Sequence, residues 1–299
     1  MAAGERADDI YVGRDFGRHD IVIDEAEVAK YAGALDDDNP IYAGPSPFGG
    51  PVAPALVRHS EVYEYRDAEH PAAPSWYLPT LYGNLHARQE FEMFAPVMVG
   101  DVIYARSVIA DRYVKRGRDY VVNEVLYFAA DGALVTRGRT HQSFLRESAG
   151  EGIVVDEKRE KSSARRFEID TAGAIEEIPA LRKQVSLDMC WKFSGPRKNY
   201  HNDKEAAIKW GFPDIVVQGM MSVCFISEMM TNRFGAGWLA GGKMDVRLVN
   251  IVWQSDALTC RGFVREITPE GPRSRAHLDV WVEKADGTKA TLGTASAVV

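Results

Sequence analysis

One segment of the chain, residues 32–57, concentrates polar groups that could transfer protons or bind a ligand. It contains three consecutive aspartates, then Asn39 and Pro40, and then Tyr42 after one further residue. A carboxylate such as that of Asp37 can act as a general acid or base, whereas Asp and Asn before a proline also form ordinary helix ends and turns. Asp37 is therefore a candidate for catalysis, and Asn39 and Tyr42 are candidates for substrate binding, with a purely structural turn as the alternative.

A second segment, residues 193–221, places a histidine ahead of an apolar run. His201 can act as a general acid or base near neutral pH, although a lone histidine is more often structural. Gly219 begins a run that is apolar almost all round and is predicted to be a buried helix. The first N–H groups of a helix lack partners and carry partial positive charge, which would stabilise an oxyanion. The other polar candidates in this segment are Asn199, Asn202 and Gln218.

An internal repeat indicates that the two segments belong to two copies of one fold. Asp101 and Asp256 stand at the start of two similar alternating runs, and the Asp-Gly pair at 131–132 recurs at 286–287. Both offsets are 155 residues (256 − 101 and 286 − 131). An Asp-Gly pair between two alternating, β-branched-rich runs is typical of a β-hairpin. The chain is therefore predicted to fold as two similar halves.

Each half has the same predicted order of elements: a short helix, a polar turn, an apolar helix and then long strands. The apolar helices are predicted to begin at Pro54 and at Gly219. This order predicts an α+β tandem (double) hot-dog, with two antiparallel sheets each wrapped round a central helix and joined edge to edge. The predicted domains are 8–148 and 169–299, with a charged linker at 149–168. An exposed helix within a single domain is the alternative reading of that linker.

The first segment resembles the signature of the MaoC-like (R)-specific enoyl-CoA hydratase/dehydratase family. The pattern is Gly-Asp-x-Asn-Pro-x-His, followed by a loop and by a His-Gly pair that opens the central helix. Asp37 stands at the position of the family's catalytic aspartate, and Tyr42 replaces the catalytic histidine. Val52-Ala53-Pro54 replaces the family's Val-His-Gly. The first half is thus similar to the degenerate domains of this family, which shape the acyl-binding tunnel.

The second segment matches the same signature at complementary positions. His201 falls on the catalytic histidine, and Val217-Gln218-Gly219 falls on the Val-His-Gly. Pro196, five residues before His201, occupies the position of the catalytic aspartate. The resemblance implies that His201 is the acid–base group and that the Gly219 N–H binds the thioester oxygen. It also implies that the two motifs belong to separate sites, so that Asp37 does not complete the pair with His201.

The resemblance implies a lyase of the hydratase/dehydratase type that acts on an acyl thioester of CoA or of a carrier protein, without a cofactor or metal. Two alternatives stay open, because the catalytic pair is incomplete. One is a repurposed isomerase or cyclase of a specialised biosynthetic pathway, and the other is a non-catalytic acyl-thioester-binding protein. The expected partner is a small-molecule substrate, and a homodimer is possible in this family.

Composition argues against several other partners. The formal net charge is −7 and the isoelectric point is near 5.6, which disfavours binding to nucleic acids or to anionic membranes. The first residues are charged and lack the apolar core of a secretory signal. The three cysteines have no metal-site spacing, and we expect them to be buried, reduced thiols of a cytoplasmic protein.

Overall fold

The computed structural model describes residues 10–57, 85–145 and 167–299. The strands within these ranges are β1 (Asp15–Val22), β2 (Leu85–Met93), β3 (Val102–Lys115), β4 (Arg118–Ala129), β5 (Leu134–Leu145), β6 (Glu176–Glu177), β7 (Leu181–Gln184), β8 (Lys243–Leu248), β9 (Ala257–Glu270), β10 (Arg273–Lys284) and β11 (Lys289–Val298). The helices are α1 (Glu25–Leu35), α2 (Leu187–Ser194), α3 (Lys204–Lys209), α4 (Gly219–Phe234) and α5 (Ala236–Leu239).

All eleven strands belong to one sheet with the order β1-β3-β4-β5-β2-β8-β11-β10-β9-β6, and β7 also pairs with β9. The pairings between these neighbours are antiparallel. The strand order of the first half is mirrored in the second, and the halves meet where β2 pairs with β8. The expected two sheets are therefore two halves of one continuous sheet, because this pairing satisfies an edge that each half would otherwise expose.

The sequence repeat appears as matching turns in the two halves. The side chains of Asp101 and Asp256 each accept a hydrogen bond, at 2.8 Å, from the backbone N–H three residues earlier. Those of Asp131 and Asp286 each accept one, at 2.9 Å, from the N–H two residues later. The glycines that follow these two aspartates have φ values of 90° and 82°, a conformation that favours glycine. The predicted hairpins are thus confirmed at both places.

The central helix of the second half is α4, which begins at Gly219 as predicted. Its residues from Met220 to Thr231 are all buried, because the sheet and α5 cover it. Trp238 of α5 is fully buried and donates a hydrogen bond from its ring N–H to the Ser227 hydroxyl at 3.0 Å. This bond satisfies the indole N–H of Trp238 within the apolar core.

Helix α1 of the first half lies against the second half rather than only against its own sheet. It packs on α2 and on α4, and its N-terminus is capped by Asp24, whose side chain accepts from the Glu27 N–H at 2.8 Å. Its C-cap, Asp36, is in the left-handed region with φ 53°. The predicted helix end before Pro40 is thus confirmed.

Two predicted elements lie largely outside the described residues. The first apolar helix was predicted to begin at Pro54. The structure describes a turn at 55–57, and residues 58–84 lie outside the described ranges. The linker at 149–168 lies outside except for its last two residues, so the domain boundaries stay a prediction. Among the described helices, none has the length and apolar character needed to cross a membrane. The three cysteines are buried and unpaired by disulfides, as expected.

Candidate functional site

His201 lies in the loop between α2 and α3 and is fixed by the strand segment that leads into α4. Its ring Nδ1 is 2.8 Å from the carbonyl oxygen of Val216. The Val216 N–H donates in turn to the carbonyl oxygen of Tyr200 at 3.1 Å, and the ring of Tyr200 lies 4.0 Å from the imidazole, centroid to centroid. Backbone and side-chain contacts therefore hold His201 against a residue three positions before the start of α4.

These contacts determine the protonation of the imidazole. A carbonyl oxygen only accepts, so Nδ1 of His201 carries a proton and Nε2 carries the lone pair in the neutral ring. Burial of the ring lowers its pKa to about 4, although the hydrogen bond to Val216 opposes this shift. At neutral pH His201 is therefore an uncharged imidazole with a basic Nε2.

Asn199 and Asn202 shape the loop around His201. The Asn199 side chain accepts from the His201 N–H at 2.8 Å and donates to the carbonyl oxygens of Ser194 and Arg197 at 2.9 and 3.0 Å. The Asn202 side chain accepts from the Asn199 N–H at 2.9 Å and donates to the Arg197 carbonyl at 3.0 Å. Both amides, predicted as substrate-binding groups, are thus engaged in the loop's own hydrogen bonds.

Gln218 and Gly219 form the start of α4 beside this loop. The side-chain oxygen of Gln218 accepts from the hydroxyl of Ser194 at 2.8 Å. This bond connects the start of α4 to the last residue of α2, just before the loop that carries His201. Within the described residues no side chain caps this helix start. A Cβ at Gly219 would lie 2.2 Å from Cδ2 of Leu248 and 3.9 Å from Nδ1 of His86. A side chain at position 219 would therefore require the side chain of Leu248 to move.

Asp37, Tyr42 and Asn39 lie together, but at the other end of α4. The Tyr42 hydroxyl donates to Oδ2 of Asp37 at 2.9 Å, and both side chains are buried. The Asn39 amide donates to the side-chain oxygen of Asn232 at 2.8 Å. Asn232 lies 13 residues after Gly219, which corresponds to about 20 Å along a helix. The cluster that contains Asp37 and the ring of His201 thus lie near opposite ends of α4.

The fold is similar to that of solved dehydratase structures. A family model described as "FAS1-like, dehydratase domain region" matches residues 11–137. A solved MaoC-like dehydratase has a TM-score of 0.73 and 17% identity, covering 96% of this chain and 98% of its own. A MaoC-like dehydratase from Phytophthora capsici has a TM-score of 0.71 and 14% identity, covering 99% and 98%.

A third structure describes the architecture directly. A Mycobacterium tuberculosis protein, described as having a double hotdog fold, has a TM-score of 0.57 and 15% identity and covers 99% of this chain and 98% of its own. The chain has the double hot-dog fold. No curated protein matched it. Within the double hot-dog, the family model matches the half that carries Asp37 and Tyr42 rather than the half that carries His201.

Sequence reasoning missed two buried charged residues of this double hot-dog. Nζ of Lys183 is 2.7 Å from Oε1 of Glu228, and both side chains are 6% exposed. The same ammonium donates to the carbonyl oxygens of Leu35 and Asp36 at 3.0 and 2.7 Å. Oε2 of Glu228 is buried and has no hydrogen-bond partner among the described residues.

This cluster changes the protonation of its carboxyl groups. Burial and the neighbouring Asp37 raise the pKa of Glu228 to about 8, although Lys183 opposes the shift. Burial also raises the pKa of Asp37, against the hydrogen bond from Tyr42. No local pattern in the sequence signals this cluster, because Lys183 and Leu35 are 148 residues apart. The one sequence feature that points to this cluster is the presence of a glutamate, Glu228, within the apolar run that begins at Gly219.

Proposed function

We propose that the protein is a hydro-lyase that adds water to, or removes it from, an acyl thioester of CoA or of a carrier protein. The observation that carries the proposal is the fixed imidazole of His201, bonded through Nδ1 to Val216 three residues before the start of α4. The fold of the MaoC-like dehydratases supports this choice of chemistry. The partner is a small-molecule substrate.

A single neutral imidazole can complete the reaction with atoms and charges balanced. In the dehydration direction, Nε2 of His201 removes the proton from the carbon next to the thioester. The electron pair moves to the thioester oxygen, which the Gly219 N–H and the helix dipole stabilise. The C–O bond of the β-hydroxyl then breaks, and the imidazolium returns its proton to the leaving hydroxide, which departs as water. The hydration reaction reverses these steps.

His201 is uncharged at neutral pH, because burial lowers its pKa to about 4. It can therefore accept a proton there, although the lowered pKa makes it a weaker base than an ordinary imidazole. The bond to Val216 also fixes which nitrogen reacts.

A second candidate is a non-catalytic acyl-thioester-binding protein. Pro196 favours it, because the residue at the family's aspartate position can neither ionise nor donate, and the loss of one acid–base group typically lowers a rate about 10²–10⁴-fold. A repurposed isomerase or cyclase would use the same base and the same oxyanion site on an already activated substrate. Turnover of a simple enoyl thioester separates the hydro-lyase from both.

The proposal is tested by incubating the full-length protein with crotonyl-CoA and following the loss of enoyl absorbance. We expect turnover by the wild type and a fall of about 10²-fold or more in the His201→Gln variant. His277→Gln is the matched control, since His277 is a half-buried strand histidine that contacts the Thr268 hydroxyl at 3.0 Å, outside this site. Absence of turnover by the wild type, or unchanged turnover by His201→Gln, would reject the proposal.

A further inference from the structure

Two tryptophans beside the His201 loop are exposed at the surface. Trp191 lies in α2 and Trp210 directly follows α3, and each of them is 39% exposed. The other three tryptophans among the described residues are buried or half-buried. Because burial of an aromatic ring is favourable and tryptophan is enriched at binding hot spots, these two rings indicate a binding surface.

Each of these tryptophans has an exposed aliphatic residue close to it in the chain. Leu187 is four residues before Trp191 on α2, so the two side chains share one face of that helix, and Leu187 is 50% exposed. Ile208, in the last turn of α3 before Trp210, is 56% exposed. We call these four residues the docking surface. Exposed apolar groups that cluster in this way, rather than occurring singly, mark interaction sites.

The docking surface borders the proposed active site through Tyr200. The ring of Tyr200 lies 4.0 Å from the imidazole of His201 and 5.9 Å from the ring of Trp210, centroid to centroid. One aromatic ring therefore separates the exposed Trp210 from the imidazole. A partner that binds at Trp210 is close enough to present a substrate to His201.

The other helix of the docking surface is connected to the start of α4. Ser194 ends α2 three residues after Trp191, and its hydroxyl donates to the side-chain oxygen of Gln218 at 2.8 Å. Gln218 directly precedes Gly219, the first residue of α4. Both helices that carry the docking surface are thus joined to the groups that the proposed reaction uses.

The stretch between the two exposed tryptophans is basic, although the whole chain is acidic. Residues 192–209 contain five lysines and arginines and two aspartates and glutamates, a net charge of +3 (5 − 2), whereas the chain has a net charge of −7. Three of these cations form ion pairs with nearby carboxylates. The other two, Arg197 and Lys209, are exposed and form no ion pair with any described residue. Unpaired positive charge therefore accompanies the apolar side chains of the docking surface.

This combination fits an acidic protein better than a free nucleotide. The adenine of CoA can stack on a single ring, whereas the two exposed rings lie at two different helices and are accompanied by Leu187 and Ile208. Protein interfaces combine aromatic and aliphatic anchors of this kind with a charged rim. Unpaired cations at the rim attract an acidic partner and accelerate its encounter.

We propose that the docking surface binds an acidic acyl-carrier protein, which delivers the thioester to the proposed active site. The inference rests on the proposed function and chooses between its two thioester carriers. The reacting group is still a small acyl thioester, which the carrier presents on its phosphopantetheine arm. Trp191 and Trp210 are the apolar anchors of this complex, and Arg197 and Lys209 face the carboxylates of the carrier.

The test compares crotonyl-CoA with a crotonyl-loaded bacterial acyl-carrier protein as substrates of the full-length protein. We expect the wild type to have a kcat/KM about tenfold or more higher with the loaded carrier, because the carrier gains the protein–protein contacts. Arg197→Glu combined with Lys209→Glu should raise KM for the carrier about tenfold or more, because like charges then face each other. Trp191→Ala should have a similar effect through the loss of an apolar anchor. The kinetics of both variants with crotonyl-CoA should change little.

Lys115→Glu combined with Arg116→Glu is the matched control for the charge reversal. It makes the same change of charge at the exposed turn between β3 and β4 of the first half, and it should leave the kinetics with both substrates unchanged. Added salt should raise KM for the carrier in the wild type and much less in the Arg197→Glu/Lys209→Glu variant, because salt screens the attraction between the partners. Thermal unfolding identifies any variant that fails to fold.

The outcomes separate this inference from the proposed function. If crotonyl-CoA is the better substrate, or if the charge reversal raises KM equally for both substrates, the surface binds the nucleotide and the inference is wrong. If neither variant changes KM for the carrier, the surface takes no part in delivery, while turnover of crotonyl-CoA leaves the proposed function in place. If the wild type turns over neither thioester, the proposed function fails. Titration calorimetry then decides this inference alone, since binding of the loaded carrier by the wild type but not by the charge-reversed variant supports it and absence of binding rejects it.

Discussion

At the scale of single residues, the neighbours of His201 determine which ring nitrogen carries the proton and how far the pKa is lowered. Three neighbours hold its backbone and ring, namely Val216, Asn199 and Tyr200. The sequence pattern identified the residue, but not its tautomer or its lowered pKa. Those depend on a carbonyl 15 residues away, which becomes adjacent only when the loop folds back on the strand segment before α4.

The lowered pKa of His201 predicts a pH-dependent stability. A histidine in the unfolded chain titrates near 6.5, whereas the folded one titrates at about 4. The contribution of the uncharged His201 ring to the free energy of unfolding is fully present above pH 6.5. Between pH 6.5 and about 4 the unfolded state binds a proton that the folded state does not, so the free energy of unfolding falls as the pH falls.

The measurement is urea unfolding of the wild type and of His201→Gln at several pH values between 7 and 4. We expect the wild type to lose more stability than the variant across this interval, because glutamine does not titrate. Parallel losses in the two proteins would show that His201 is not buried as an uncharged ring.

At the scale of elements, local sequence signals predicted individual hairpins and helices, whereas the pairing of distant strands determined how these elements are placed together. The Asp-Gly turns and the apolar run from Gly219 fixed two hairpins and α4, because turn type and helix burial depend on nearby residues. The position of His86, whose Nδ1 lies 3.9 Å from where a Cβ of Gly219 would be, did not follow from any local pattern. Its place beside the start of α4 depends on the β2–β8 pairing and on a bulge, neither of which leaves a local signal.

Adding one methyl group at the start of α4, in Gly219→Ala, is predicted to lower the free energy of unfolding. In Gly219→Ala the new Cβ would lie 2.2 Å from Cδ2 of Leu248, so that side chain must move. We expect a loss of about 1–3 kcal/mol in the free energy of unfolding from overpacking. The better helix propensity of alanine offsets at most about 1 kcal/mol of that loss.

Gly33→Ala is the matched control for this substitution. Gly33 lies within α1, and a Cβ there would meet nothing within 4 Å, so the change should be neutral or stabilising by up to about 1 kcal/mol. Urea unfolding of both variants measures the difference. Shortening Leu248 to alanine in the Gly219→Ala background should give a favourable coupling energy. Equal stabilities of the two single variants would contradict the close contact.

At the scale of the whole molecule, charged side chains form direct hydrogen bonds between the two halves. At the junction, the guanidinium of Arg88 forms two hydrogen bonds with the carboxylate of Asp245, at 2.6 and 2.5 Å. Farther along, Lys183 of the second half binds the last carbonyls of α1 from the first half. The repeat predicted two similar halves. The repeat could not predict these contacts, because each of them joins a residue of the first half to a residue of the second half.

The buried ammonium of Lys183 predicts the largest stability effect outside the apolar core. Lys183→Met would leave the carbonyls of Leu35 and Asp36 without this donor. Above pH 8, where Glu228 is ionised, it would also leave that carboxylate without its counter-charge. Breaking a buried ion pair on one side typically costs about 3–5 kcal/mol. We therefore expect a loss of that size in urea unfolding at pH 9, and a smaller loss in Lys183→Met combined with Glu228→Gln, because no buried charge is then left unpaired.

An exposed ion pair provides the control. Lys192 pairs with Asp188 at 2.7 Å on the surface of α2, where the two side chains are 48% and 68% exposed, and Lys192→Met should change stability by less than about 1 kcal/mol. If Lys183→Met were equally mild, the halves would not depend on this contact. If the double variant were as unstable as Lys183→Met alone, the cost would come from the lost donor at the end of α1 rather than from the carboxylate. In the first of these cases the contact between the halves would depend on the β2–β8 junction instead.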